Sequence, residues 1–310
     1  MTRSGFAAVL GAPNAGKSTL VNRLVGSKVT IVTHKVQTTR FPIRGVAVCG
    51  ESQIVLVDTP GIFRPRRRLD RAMVRAAWDG LKDADAVVIL VDAEALLNAE
   101  KPGAKAADKL AAEDTQAIIS GLRVAGRKAL LVLNKVDRAP REALLPLTER
   151  LFDPEVHEEV FMISAATGSG VEELKRRLAD LMPEGPWLYP EDQAADLPVR
   201  LLAAEITREK VYLRAHQELP YAAGVETTAF EVGRDGSNRI EQTIYVEREG
   251  QRAILIGKGG STLKWIGEAA RRELSDMLGV PVHLFLTVKV RRNWADEPDA
   301  YRELGLPFDV

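Results

Sequence analysis

One cysteine, Cys49, occurs in 310 residues, which excludes an intrachain disulfide and fits a reducing cytoplasm. It lies in the apolar stretch GVAVC and reads as a small buried hydrophobe rather than a nucleophile. Net charge is also missing. Lys and Arg number 43, as do Asp and Glu, so composition alone announces no nucleic-acid partner. No apolar run approaches the ~20 residues that span a bilayer. The start, MTRSGFAAVLG, carries an apolar run too short for a signal peptide, and it leads straight into a glycine turn. The expectation is a soluble, cytoplasmic protein.

What is present is an alternation. Short, almost continuously apolar runs at 6–11, 44–49, 53–58, 86–92, 128–134 and 159–164 predict strands. The stretches KSTLVNRLV, LDRAMVRAAWDGLKD, DTQAIISGLRVAG, REALLPLTERLF and VEELKRRLADLM predict the helices between them. Apolar strands that alternate with helices imply an α/β fold with a mostly parallel sheet covered on both faces. The runs at 44–49 and 53–58 are too close for a crossover helix, so that pair is expected to be antiparallel. Residues 98–112, NAEKPGAKAADKLAA, break the rhythm and read as a flexible surface insertion.

Four prolines in PEGPWLYPEDQAADLP, 183–198, mark a linker. The expected division is a first domain over 1–183, a linker over 184–198 and a second domain over 199–310. The second domain reads as helix 197–216, strands 224–232 and 239–247, a glycine loop at 257–260, helix 261–278 and strand 282–291. That order suits a compact α+β domain.

GAPNAGKS places Gly11, Gly16, Lys17 and Ser18 at the fixed positions of G-x-x-x-x-G-K-[ST], between a predicted strand and a predicted helix. The glycines let the backbone of Ala12, Pro13, Asn14 and Ala15 fold around a phosphate, whose charge meets N–H groups at the helix start. Lys17 would reach the outer phosphates and the Ser18 hydroxyl would bind Mg²⁺, with Thr19 beside it. An ordinary strand–helix turn is the alternative. DTPG, formed by Asp58, Thr59, Pro60 and Gly61, ends the third strand. Asp58 is placed to hold Mg²⁺ through water and Gly61 to offer its N–H to the terminal phosphate.

NKVD decides the base. A carboxylate at Asp137 can accept from guanine N1–H and the guanine 2-amino group, whereas adenine would leave it buried unpaired. Asn134 would brace the loop, the Lys135 stem would cover one face of the base, and Val136 completes the turn. Ser164 and Ala165, in SAA, would bring a backbone N–H toward guanine O6. The expected nucleotides are therefore GTP and its product GDP, with Mg²⁺.

Between these motifs lies KVQTTRFP, 35–42, where a sensor of the third phosphate belongs. Thr39, adjacent to Arg40, is favoured over Thr38 as the residue completing the Mg²⁺ shell. This loop and residues 58–75 are the expected switches. The second carries Arg64, Arg66, Arg67, Arg68, Arg71 and Arg75, either a solvated face or an RNA contact that follows the nucleotide state.

In the second half, Gly257, Lys258, Gly259 and Gly260 form a GxxG loop set between apolar helices. Such a loop clamps the backbone of about four nucleotides in KH domains. Residues 191–310 hold more acidic than basic side chains, which argues against a general polyanion sponge. Positive charge nevertheless gathers near the loop, at Arg252, Lys258, Lys264, Arg271, Arg272, Lys289, Arg291 and Arg292. Of these, Lys258, Lys264, Arg271 and Arg272 are the candidate RNA contacts beside the three glycines; a solvated helix face is the alternative.

With GxPNxGKST, QTTR, DTPG, NKxD and SA followed by this loop, the chain resembles the Era family within the TrmE–Era–EngA group of GTPases. The likeness covers nearly its whole length. It implies a P-loop GTPase domain followed by a type II KH domain. It further implies a monomeric ribosome-assembly GTPase that binds near the 3′ end of 16S rRNA and assists 30S subunit biogenesis. Weak peripheral association with the inner face of the cell membrane is implied as well. Asn14 matches the asparagine that helps hold K⁺ in related GTPases, although it could equally cap its turn. Ile62 stands where a water-orienting glutamine would follow DTPG, so unaided hydrolysis should be slow. Two other readings stay open: an rRNA-binding module with a mainly structural nucleotide, and a membrane-linked cell-cycle GTPase.

Overall fold

A computed structural model of the chain describes residues 1–33, 39–65, 68–215, 223–292, 294, 297–298, 301 and 306–310. They fall into two compact units. The first comprises Met1–Thr30, Thr39–Asp196 and Leu306–Val310, and the second Ile31–Thr38 and Leu197–Gly305.

The first unit is built on strands β1 (Arg3–Gly11), β2 (Ile43–Cys49), β3 (Ser52–Asp58), β4 (Ala86–Asp92), β5 (Ala129–Asn134), β6 (His157–Met162) and β7 (Ala195–Asp196). Their order in the sheet is β6-β5-β4-β1-β3-β2-β7. β1 runs parallel to β3 and β4, and β5 runs parallel to β4 and β6. β2 is antiparallel to β3, as their short connection requires. The covering helices are α1 (Lys17–Val25), α2 (Arg68–Asp79), α3 (Ala93–Ala99), α4 (Ala106–Val124), α5 (Arg141–Leu151) and α6 (Val171–Leu181).

The strands are apolar on both faces because both faces are covered. On one, Leu20 and Leu24 of α1 and Leu174 and Leu178 of α6 join Val9, Leu56 and Val88. On the other, Ile118 and Leu122 of α4 and Leu144 and Leu147 of α5 join Leu10, Ile89 and Leu131. Burying each such side chain contributes about 1.5–3 kcal/mol. Cys49 is half-buried against the first of these cores rather than fully enclosed. β1 lies between β3 and β4, so the sheet order reverses there, and ligands of open α/β sheets bind beyond the strand ends at such a point.

The stretch 98–112 is mostly helical, which corrects the expectation of a flexible insertion. α3 runs to Ala99, α4 begins at Ala106, and the loop is confined to 100–105. Alanine, lysine and leucine are strong helix formers even without apolar periodicity. Residues 183–196, after α6, are part of the first unit. The buried Gln53 side chain accepts from the N–H groups of Leu188 at 2.8 Å and Tyr189 at 3.0 Å, and β7 pairs with β2. Among the last residues, Phe308 lies under the Arg68 guanidinium at 4.0 Å, and the Asp309 carbonyl accepts from Arg75 at 3.2 Å. Among the described residues no helix is long and apolar enough to cross a membrane.

The second unit contains α7 (Val199–Arg214), β8 (Gly224–Val232), β9 (Asn238–Val246), α8 (Glu249–Ile256), α9 (Ser261–Leu278) and β10 (Val282–Val290). β9 is central, antiparallel to β8 and parallel to β10. Ile206, Ile240, Ala270 and Leu274 form one part of its core, and Val211, Ile244, Leu255 and Ile266 another.

One buried histidine makes the first unit sensitive to acid. His157 Nδ1 accepts from the Asp153 N–H at 3.0 Å, which requires a neutral ring, and Nε2 is buried without a hydrogen-bond partner among the described residues. Burial holds its pKa below the ordinary 6.5, with Asp153 opposing the shift. The folded state therefore disfavours the proton, so this contribution is complete above the unfolded value and is lost as pH falls through the folded one. Tm measured from about pH 7.5 to about pH 5.5 should fall below pH ~6.5. His157→Asn, which keeps an acceptor but not the titration, should flatten that part of the curve. Equal slopes would rule out His157 as its source.

Candidate functional site

The loop between β1 and α1 is shaped by residues that cannot be exchanged freely. A Cβ on Gly11 would lie 2.5 Å from the Leu90 carbonyl oxygen. Gly16 has φ +100°, and a Cβ there would meet Asn134 Nδ2 at 2.3 Å. Asn14 is exposed and left-handed, with φ 64°. Lys17 is buried, and its ammonium donates to the carbonyls of Gly11 at 3.0 Å and Ala12 at 2.9 Å. Burial lowers its pKa to about 8, with Asp58 and Asp114 pulling the other way.

Asp58, at the end of β3, gathers three hydroxyls. Its Oδ2 accepts from Ser18 at 2.9 Å, Thr30 at 2.8 Å and Thr39 at 3.1 Å. Ser18 Oγ and Thr39 Oγ1 are 3.0 Å apart. Burial raises the pKa of Asp58, while Lys17 and the three hydroxyls lower it. Its other oxygen, Oδ1, is buried and has no hydrogen-bond partner among the described residues. Two hydroxyls and an unsatisfied carboxylate oxygen form a hard oxygen donor set of the kind Mg²⁺ takes. Thr30 had no motif to announce it.

The rest of DTPG is fastened to the phosphate loop. Thr59 Oγ1 donates to the Val9 carbonyl at 2.8 Å, and the Ile62 N–H donates to the Gly11 carbonyl at 3.2 Å. Pro60 is buried, and a Cβ on Gly61 would be 3.0 Å from Pro13. Asp114 of α4 accepts from the backbone N–H of Arg64, and its pKa is raised to about 6, first by burial and then by Glu113. Of the candidate switch residues, 35–38 (with Thr38), Arg66 and Arg67 lie outside the described residues.

A second cluster lies beyond β5. Asn134 Nδ2 donates to the Ala15 carbonyl at 2.8 Å, and Asn134 Oδ1 accepts from the Ala165 N–H at 2.9 Å. One amide thus joins the phosphate loop to SAA, where Ser164 is buried and its hydroxyl accepts from the Thr167 N–H at 3.2 Å. Arg23 of α1 donates to the carbonyls of Ala165, at 3.2 Å, and Ala166, a brace that no motif marks. Lys135 is left-handed, with φ 63°, a conformation costing about 1–2 kcal/mol for an L-residue. Its ammonium pairs with Asp92. The Val136 N–H donates to the Ile163 carbonyl at 3.3 Å, and Asp137 is exposed at the turn that follows.

In the second unit, Gly257, Gly259 and Gly260 have φ of +74°, +60° and +79°. A Cβ on Gly257 would meet Thr262 Oγ1 at 2.4 Å, whereas Gly259 and Gly260 face open space. Lys258 is exposed on this loop. Lys264, Arg271 and Arg272 are exposed on α9 at i, i+7 and i+8, on one face, opposite buried Ile266, Ala270 and Leu274. Ile254 and Trp265, exposed at 60% and 39%, flank the loop with apolar surface that the charge pattern did not signal.

Comparison with known proteins bears on both units. Residues 6–135 match the family model described as 50S ribosome-binding GTPase, and residues 218–295 match the KH domain model. The chain is 66% identical over 309 residues to the GTPase Era of Caulobacter vibrioides strain NA1000 / CB15N, covering 100% of this chain and 98% of that protein. It is 60% identical over 308 residues to the GTPase Era of Maricaulis maris, covering 99% and 98%. Among solved structures, Era in complex with MgGDPNP and nucleotides 1506–1542 of 16S ribosomal RNA is 37% identical, with TM-score 0.86 over 98% of this chain and 99% of that one. Aquifex aeolicus Era with a single substitution, bound to GDP·AlF4⁻, is 36% identical, with TM-score 0.87 over the same shares.

An exposed carboxylate on a fixed turn can read the base only through its two acceptor oxygens. Asp137→Asn should therefore move preference from guanine toward xanthine nucleotides, by about 10⁴-fold overall. Competition binding with GTP and XTP measures it. Retained GTP preference would place base recognition elsewhere.

Proposed function

The chain belongs to the Era family of GTPases, and from that premise we propose that it is a switch which holds small-subunit rRNA near its 3′ end while GTP is bound and lets it go after hydrolysis. In this reading it assists 16S rRNA processing and 30S subunit assembly in the cytoplasm. The observation that carries it is the Asp58 cluster. Ser18 follows the phosphate loop and Thr39 belongs to the loop expected to sense the third phosphate, yet one buried carboxylate takes both hydroxyls.

The roles follow from position. Lys17 reaches the outer phosphates, and the Gly61 N–H meets the transferred one. Ser18, Thr39 and Asp58 would hold Mg²⁺, which when bound neutralises charge developing on the phosphates. Asn14 is the candidate for holding K⁺. Ile62 has no group to orient water, so unaided hydrolysis is slow. Asn134 and Lys135 fix the base loop, Asp137 reads guanine and Ala165 offers its N–H to O6.

In the KH unit, Gly257, Lys258, Gly259 and Gly260 clamp the phosphodiester, and Lys264, Arg271 and Arg272 supply charge without reading sequence. The relative solved with nucleotides 1506–1542 of 16S ribosomal RNA supports the choice of RNA. The family model naming the 50S particle covers the nucleotide-binding half and stops at residue 135.

A GTPase assay with and without an oligonucleotide of the 16S 3′ end, in K⁺ and in Na⁺, tests the reading. Turnover should rise with the oligonucleotide and be higher in K⁺. Turnover indifferent to RNA would favour a structural nucleotide instead. Gly259→Asp should keep basal hydrolysis and lose RNA affinity in a filter-binding assay; undiminished RNA binding would remove the loop from the interface.

A further inference from the structure

Asp92 belongs to none of the nucleotide-binding motifs. It ends β4, directly opposite Asn134 in the parallel pairing of β4 with β5, so its carboxylate reaches the strand ends where NKVD begins. Its two oxygens have different tasks. Oδ1 accepts from the Ala95 N–H at 3.0 Å and caps α3, while Oδ2 takes the Lys135 ammonium. Both side chains are largely shielded, at 11% exposure for Asp92 and 25% for Lys135. We propose that Asp92 is a positioning residue for guanine binding, which fixes the Lys135 stem as the platform for one face of the base and keeps its ammonium from the Asp137 carboxylate.

This role for Asp92 rests on the guanine-site reading above and on geometry. The backbone of NKVD is already fastened through the two hydrogen bonds of Asn134. The Lys135 side chain has four rotatable bonds that this fastening leaves free, and freezing such a chain is costly. An ammonium two residues from Asp137 is also a ready competitor for the carboxylate that guanine must occupy. Pairing with Asp92 removes both costs before nucleotide arrives, which is preorganisation. A neighbouring pair, Arg138 with Glu94 at 3.5 Å, is more open, at 55% and 37% exposure, and should matter less.

Asparagine separates the two tasks of Asp92. It offers one oxygen, enough to cap α3 or to meet Lys135 but not both, and it carries no charge. With fluorescent GDP and GTP analogues, Asp92→Asn should weaken both nucleotides equally, by about tenfold, the low end for loss of a charged hydrogen bond. The loss should lie in faster dissociation, and kcat at saturating GTP should stay within about twofold, since the base is distant from the transferred phosphate. Glu94→Gln should change affinity by less than about twofold.

The second measurement is a double-mutant cycle. In a Lys135→Met background, which keeps the stem and removes the ammonium, Asp92→Asn should have almost no further effect. A tenfold loss that persists there would show that Asp92 does not act through Lys135. Unchanged affinity in Asp92→Asn alone would also overturn the proposal. A thermal melt guards against misfolding: Asp92→Ala, which loses the cap, should melt earlier than Asp92→Asn. If the unsubstituted protein binds no guanine nucleotide at all, the guanine-site reading itself has failed.

Discussion

A carboxylate taken out of water at the end of a strand stays ionised only if something else supplies charge or hydrogen bonds. Asp58 is that carboxylate, completely buried, and burial alone pushes its proton affinity up. Lys17 and the hydroxyls of Thr30, Ser18 and Thr39 oppose the shift. The arrangement is reciprocal, because Lys17 is itself buried and Asp58, with Asp114, opposes the loss of its proton. Removing Asp58 would leave Lys17 with only Asp114 to oppose the effect of its burial. Thr30 and Thr39, well separated in the chain, therefore converge on one buried carboxylate.

Much of this was legible in the sequence. Strands of the first unit announced themselves because a sheet covered on both faces demands continuous apolar runs, as in AVVILVD and KALLVLN. The motif residues were legible because phosphate and guanine chemistry restrict residue type at fixed spacing. α3 and the first turns of α4 were not, since alanine and lysine form helix without an apolar stripe. α8 could not be delimited because it is short, carries Gly250 in its first turn and buries only Leu255. β7, with two residues, is too short to leave a pattern. Thr30, Arg23 and Asp92 escaped for a different reason: each acts through a neighbour remote in the chain. Asp92 left one readable sign, an acidic residue between a strand and the helix former Ala93, which is where a cap belongs.

The two glycine loops use the same residue for opposite purposes. In the first, Gly11 and Gly16 are glycine because other parts of the protein press against them, at 2.5 and 2.3 Å from where a side chain would begin. In the second, Gly259 and Gly260 have left-handed backbones and nothing within 4 Å. The first loop is closed around an absent side chain, and the second is held open. A rigid cradle suits a small ligand bound the same way each time, and an open, curved backbone suits a polymer that must be laid in from outside.

The order of residues along the chain does not follow the division into units. Residues 31–38 leave the first unit for the second, and Leu306–Val310 return to the first after the second is complete. No single scission of the polypeptide can then yield either half whole. A fragment ending at Asp196 would leave Arg68 without Phe308 beneath it and Arg75 without the Asp309 carbonyl. Dissection experiments on isolated halves would thus probe amputated bodies, each missing part of its own packing.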